Sequence, residues 1–247
     1  MNLNLFIPCS IDQFSPQTGK NLIKLLERLG HKVNYISEAT CCGRILYDNG
    51  NWNEAKEIGE KFINSYSLNN YIVGCSTNCI GYIKNDMSNL FFNTSLHNLY
   101  KNVSDNIMDI SEFLVDYQHK LDLGAYFPHK VSIHYNCRSL NEYNLQEEIK
   151  LLLENVKGIE ICSNNTNNFC CGYGGLFSTF NEPVSIALAK AKIDSVLEEG
   201  AEYIVSSDLS CLLHLQSYID KHKIPLKTIH IVDLLMWEEN QEMEEIK

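Results

Sequence analysis

Residues 71–79 read YIVGCSTNC, and residues 203–211 read YIVSSDLSC. The first three residues are identical and the final cysteines fall in register. A short apolar run followed by small polar residues reads as a buried strand entering a turn. Each run therefore carries Cys79 or Cys211 just past a strand end. A 247-residue chain that does this twice suggests an internal repeat.

Working outward, the repeat extends. LFIPC ends at Cys9 and SIHYNC ends at Cys137. Adjacent pairs follow, Cys41–Cys42 and Cys170–Cys171, each succeeded by glycine. The spacings are Cys-x31-Cys-Cys-x36-Cys and Cys-x32-Cys-Cys-x39-Cys. Downstream, DISEFLV (109–115) resembles HIVDLLM (230–236), so each half closes with a last strand and helix.

The segments between alternate strand and helix. NLNLFIP and KVNYIS read as strands, and SPQTGKNLIKLLERLG as a helix with Leu22, Ile23, Leu25, Leu26 and Leu29 on one face, stopped at Gly30. Asn53 is the expected cap of the helix EAKEIGEKFINSYS. In the second half, VSIHY, IEIC, EYIVS and KTIHI read as strands, and EPVSIALAKAKIDSVLEE as a helix ended by Gly200. Strands separated by helices imply right-handed crossovers and parallel sheets. The expected fold class is α/β, with two pseudo-repeated Rossmann-like halves and the cysteines at strand carboxyl ends. The turn-rich LDLGAYFPHK sets the boundary around Gly124 to Pro128, giving halves 1–125 and 126–247.

Ligands of open parallel sheets gather beyond the carboxyl ends of the strands. Cys9, Cys41, Cys42 and Cys79 are thus expected to converge, and Cys137, Cys170, Cys171 and Cys211 likewise. Neighbouring Cα atoms lie about 3.8 Å apart, below the usual disulfide range. Adjacent thiols more naturally grip one inorganic centre. Soft thiolates suit iron–sulfur clusters and zinc. Neither half has the paired Cys-x-x-Cys knuckles usual for zinc, which favours the larger cluster, with zinc an alternative in one half. Glycine after each pair permits close backbone approach, and its N–H is expected to donate to a sulfide of the centre and tune its potential.

These motifs resemble a known family. LFIPCSIDQFSPQTG, LLERLG, TCCG, CCGYGGLFS and CLLH, in that order, are similar to the cysteine-rich CCG proteins. That group includes the cysteine-rich component of heterodisulfide reductase and the iron–sulfur component of glycolate oxidase, and the likeness is greatest to the lactate-utilisation protein A family. The resemblance implies a cytoplasmic subunit with one or two iron–sulfur clusters of the 4Fe-4S type, in a complex oxidising L-lactate to pyruvate. It implies as partners a ferredoxin-like iron–sulfur subunit and a third small subunit. The heterodisulfide reductase component carries a fifth cysteine in each half, three residues after the fourth. Tyr82 and His214 stand there instead. His214 and Cys75 are candidate additional ligands, whereas Cys162 lacks a repeat partner and reads as core.

His134 and His214 are the candidate bases for a hydroxy acid, and Arg44 and Arg138 the candidates for binding an anionic substrate. The ordinary alternatives are a packed histidine and surface ion pairs. Two rival functions are heterodisulfide or thiol reduction, and a non-catalytic electron relay or scaffold. GYGG lacks dinucleotide-fingerprint spacing. A net charge of −11 argues against nucleic acid. No apolar run suits a membrane span, and the N-terminus lacks signal-peptide features, so a cytoplasmic location is expected. The acidic tail EENQEMEEIK reads as a solvated end.

Overall fold

A computed structural model describes residues 1–66, 70–162 and 169–238. The acidic tail and the polar loop before Cys170 lie outside the described residues, apart from Glu238 and Phe169. The chain divides into two compact units, Met1–Phe113 and Leu114–Lys247. The turn-rich segment at 124–128 falls within the second unit.

In the first unit, β1 (Asn2–Phe6), β2 (Lys32–Tyr35), β3 (Ile72–Gly74) and β4 (Ile107–Asp109) form a parallel sheet ordered β2-β1-β3-β4. In the second, β5 (Lys130–Ile133), β6 (Glu160–Ile161), β7 (Tyr203–Ser206) and β8 (Lys227–His230) pair in parallel as β6-β5-β7-β8. The orders are the same, so the repeat seen in the cysteines is a repeat of topology. Central strands buried on both faces read as continuous apolar runs. Leu3, Leu5, Ile72 and Val73 in the first sheet and Val131, Ile133, Ile204 and Val205 in the second are buried accordingly. The β2 strand is mostly exposed and edge-like.

The helices carry most of their expected bounds. Pro16–Arg28 buries Leu22, Leu25 and Leu26, and the chain turns out through Gly30 at φ 82°. Glu182–Glu198 ends just before Gly200 at φ 71°. One expectation needs correction. The helix Trp52–Ser65 starts before Asn53, which lies inside its first turn; Asn51 occupies the cap position and makes no side-chain cap bond. Trp52 and Asn53 both tolerate helical angles, so the turn begins earlier than the polar residue suggested. The segments matched near each half's end are the capped turns after the last strands. Asp109 accepts from the Ser111 N–H, and His230 accepts from the Val232 N–H.

Among the described residues no helix is long and apolar enough to cross a membrane.

Asn136, fully buried, accepts from the N–H groups of Arg138 and Ser139 at 3.1 and 3.0 Å and so starts the helix that opens with Cys137. Asn136→Ala is expected to cost about 1–2 kcal/mol in denaturant unfolding. Asn51→Ala should stay within about 0.5 kcal/mol.

Candidate metal centres

The strand order reverses between β1 and β3, and between β5 and β7, and crevices open at such switch points beyond the strand ends. Cys9 follows β1 and Cys79 follows β3; Cys137 follows β5 and Cys211 follows β7. Each sits in the first turn of a helix. Cys9 opens Cys9–Phe14 and Cys137 opens Cys137–Asn141. Cys79 and Cys211 are third in Thr77–Lys84 and Leu209–His222. The Ser76 hydroxyl accepts from the Cys79 N–H, and the Asp208 carboxylate accepts from the N–H groups of Ser210 and Cys211. Helix N-termini favour negative charge, so these positions suit thiolates.

The adjacent pairs complete the sets. In the first half Cys9 Sγ lies 3.6 Å from Cys41 Sγ. Cys41 also contacts Cys42, and Cys42 contacts Cys79. In the second half Cys137 lies near Cys170 and Cys170 near Cys171, and the Cys171 and Cys211 sulfurs lie within 4.8 Å of each other. Both quartets run in the same order from a solvent-facing end, at Cys9 and Cys137, to a buried end, at Cys79 and Cys211. None of the eight is in a disulfide.

The glycines give the close approach expected, and their N–H groups donate to cysteine sulfur. Gly43 N–H donates to Cys41 Sγ at 3.5 Å, and Gly172 N–H donates to Cys170 Sγ at 3.3 Å. Gly43 has φ +85° and its absent Cβ would lie 3.2 Å from the Ala55 carbonyl oxygen. At Gly172, φ +94°, the same atom would lie 2.5 Å from the Ser185 carbonyl oxygen. The pairs can therefore press against the following helix only because no side chain intervenes.

Crowding splits the thiols' acidity. Cys41 is held far below an ordinary thiol by hydrogen bonds from Cys42 and Cys9, aided by the Gly43 N–H and the Arg44 charge. Cys9 is pushed up by its bond to Cys41 and by burial, and Cys42 by Cys41, Cys79 and burial. In the second half Cys137 is pushed up by its bond with Cys170 and by burial. Cys170 is drawn down by Cys137, but Cys171 and burial outweigh that and leave it raised. Cys171 is drawn down by Cys170 yet raised on balance by Cys211 and burial. Cys211 is drawn down by Cys171, but burial and Asp208 leave it raised. The first half thus sets one lowered thiol between raised neighbours, whereas all four thiols of the second are raised.

A metal with sulfur ligands about 2.3 Å away has tetrahedral edges of about 3.8 Å. The 3.6 Å separation of Cys9 and Cys41 matches such an edge. Soft donors, mutual contact and backbone N–H donors to sulfur all fit a thiolate-bound metal centre.

The remaining candidates are placed as follows. Cys75 is fully buried just past β3. Cys162 belongs to a core cluster with Ala189, Ile193 and Val196, and its thiol points to the Glu199 carbonyl at 3.9 Å. Arg44 pairs with Asp48 at 2.9 Å and Arg138 pairs with Glu142, each one helical turn on. Tyr82 is fully buried with its ring 5.3 Å from Tyr47. His214 is half-buried, its Nε2 3.2 Å from the Ser185 hydroxyl, which itself donates to the Gly172 carbonyl. His134 is 2% exposed, and a ring nitrogen lies within 4.8 Å of the Cys171 and Cys211 sulfurs. Lys192, fully buried beside the same thiols, is a residue that sequence reasoning misses; a lysine in the apolar stretch ALAKAKI is the available signal.

Fold and site define a doubled cysteine-rich α/β protein. The CCG cysteine-rich domain profile matches residues 3–84 and 131–216. The chain belongs to the CCG cysteine-rich proteins, in the lactate utilization protein A family. It is 30% identical over 237 residues to lactate utilization protein A 1 of Bacillus mycoides, covering 95% of this chain and 96% of that one. It is 32% identical over 237 residues to lactate utilization protein A of an Exiguobacterium species, with coverage of 95% and 96%. Among solved structures, a hypothetical protein from Helicobacter pylori superposes with TM-score 0.63 at 12% identity. That match covers 98% of this chain and 50% of the other, so the chain spans about half its length, and the likeness is one of fold.

Two outcomes follow from this geometry. Raised thiols keep their protons at neutral pH, so metal must displace them, and loading weakens as pH falls. Metal-to-protein ratios after reconstitution should be lower at about pH 6 than at about pH 8 for each half, read in Cys41→Ser/Cys42→Ser and Cys170→Ser/Cys171→Ser chains. Gly172→Ala should destabilise by about 3 kcal/mol in denaturant unfolding, and Gly43→Ala by about 1–2 kcal/mol.

Proposed function

We propose that the chain is an iron–sulfur subunit of a complex that oxidises L-lactate to pyruvate. The carrying observation is the doubled quartet of contacting thiols. The substrate assignment is supported by the names of relatives that share 95% of the chain. In this reading Cys9, Cys41, Cys42 and Cys79 hold one centre, and Cys137, Cys170, Cys171 and Cys211 hold the other. When bound, 4Fe-4S clusters supply one-electron transfer.

Oxidation of lactate to pyruvate releases two electrons and two protons and turns a C–OH into C=O. Electrons leave toward a ferredoxin-like iron–sulfur partner, and a third small subunit completes the complex. The chain's own residues bind and tune. Gly43 and Gly172 donate to sulfur, which stabilises negative charge there. Arg44 and Arg138 offset charge beside Cys41 and Cys137. Their ion pairs with Asp48 and Glu142 leave them less free to clamp a substrate carboxylate. Burial holds His134 neutral, down to about 3, with Lys192 repelling a proton as well, and so keeps it from serving as a solvent-facing base. His214, nearer the surface, is the better candidate base. Ten cysteines with no disulfide among them suit a reducing compartment such as the cytoplasm. Tyr82 and His214, where a fifth thiol would stand, weigh against heterodisulfide reduction.

Anaerobic reconstitution followed by iron and sulfide analysis tests the reading. Both halves are expected to load, and serine replacement of either adjacent pair should remove about half the iron. Iron near zero in the wild-type chain would sink it. Lactate binding by the isolated chain separates a catalytic role from that of a relay, which would bind none.

A further inference from the structure

His134 is the most anomalous polar group in the second half. Its backbone is fully used, with N–H donating to the Val205 carbonyl at 2.8 Å and the carbonyl accepting from the Ser206 hydroxyl at 2.8 Å. Its ring is buried, and among the described residues neither ring nitrogen has a hydrogen-bond partner. Buried polar groups are rarely left so, and each such case calls for an absent partner such as an ion. The ring faces the buried end of the quartet. His134, Cys171 and Cys211 each offer a ligand atom, and these three atoms lie within 4.8 Å of one another.

The first half shows what the position does without a polar group. Phe6 lies three residues before Cys9, as His134 lies three before Cys137. Phe6 aligns with Gly74 on β3, and the His134 backbone continues the β5–β7 register toward Ser206, the repeat partner of Gly74. The neighbouring wall has changed too. Gly43 faces the Ala55 carbonyl and Gly172 faces the Ser185 carbonyl, which aligns the two following helices. Seven residues on from these stand Phe62 and Lys192, both fully buried. In the first half Phe6 and Phe62 pack edge to face at 5.2 Å, with Tyr66 beyond. In the second half the same two places hold an imidazole and an ammonium. Lys192 is near enough to feel the charges of Cys171 and Cys211.

We propose that the second centre is a mixed site in which His134 joins Cys171 and Cys211 as a ligand through a ring nitrogen, whereas the first centre binds through thiolates alone. Cys137 and Cys170 serve the solvent-facing side of the same centre. Lys192 is a positioning charge that balances the thiolates without touching the metal. The inference rests on reading the quartets as iron–sulfur centres. A neutral nitrogen donor leaves a centre less negative than a thiolate does, as in iron–sulfur sites where histidines replace cysteines, and raises its potential.

The test uses the full-length Cys41→Ser/Cys42→Ser chain, so that only the second half is loaded. It is grown with [15N]histidine, reconstituted with iron and sulfide, chemically reduced and measured by pulsed electron paramagnetic resonance. A directly bonded histidine nitrogen coupling is expected. It should vanish on adding His134→Cys, with iron content kept because a thiolate takes the place of the imidazole. It should also vanish on adding His134→Phe with Lys192→Phe, which rebuilds the aromatic pair of the first half and guards against a folding defect. Iron bound with no histidine coupling, or a coupling that survives either replacement, overturns this inference and leaves the cluster reading standing. No iron in this chain, with the wild type loaded only in its first half, overturns the cluster reading for the second half and this inference with it.

Discussion

Sulfur atoms in contact inside a poorly hydrated pocket cannot all ionise together, and each half of this chain holds four of them that way. At an effective dielectric of about 20, two unit charges about 4 Å apart repel by about 4 kcal/mol. Three or four thiolates therefore require a cation among them. Without one, protons are shared along the row, as the raised Cys9 and Cys42 around the lowered Cys41 show. A metal centre resolves the conflict by replacing several protons with one compact charge. The quartets are thus badly satisfied as protein and well suited as ligands.

The fold delivers this arrangement with little added machinery. A parallel sheet ordered 2-1-3-4 parts its crossovers between the first and third strands, and the residues just past those strands must face the gap. Cys9 with Cys79, and Cys137 with Cys211, stand there without any special loop. Starting helices at these points turns their N–H groups toward the sulfurs. The adjacent pair then needs only one positive-φ glycine to lean back onto the next helix. Each row starts at an exposed cysteine, Cys9 in the first and Cys137 with Cys170 in the second, and ends on two buried ones. Reagents and electrons meet the outer end, while the inner end is insulated from water.

Much of this is legible in the residues. YIV with its trailing cysteine, and the two matched spacings, announce both the repeat and the parallel sheets, because strand ends and thiols had to move together through duplication. Helix starts are less legible. Asn53 looks like a cap because it is polar and precedes an amphipathic run, yet the turn nucleates at Trp52, where no side-chain cap is used. The His134 and Lys192 pair is the least legible part. His134 aligns with Phe6 by its distance from the matched cysteine, but the equivalence of Lys192 to Phe62 is hidden by the unequal spacings between the cysteines of the two halves, and only the glycine contacts align those helices. A histidine at a strand end is by itself ordinary. What singles it out is that both nitrogens are buried without partners, and no sequence pattern reports that.

The exchange of an aromatic pair for a buried imidazole and ammonium bears on stability as well as on redox poise. In the first half Phe6, Phe62 and Tyr66 pack on one another, and the Tyr66 hydroxyl donates to the Leu5 carbonyl at 3.0 Å, so these two places are filled by apolar packing. The second half has surrendered that packing for polar groups that water cannot reach. Burying an imidazole with neither nitrogen hydrogen-bonded costs about 1–3 kcal/mol by mutational measures. Phenylalanine at both places, as in the first half, carries no such cost. The cost is offset only if something binds between the imidazole and the thiols. Metal binding free energy is then folding free energy, and the second half depends on its centre for stability in a way the first does not.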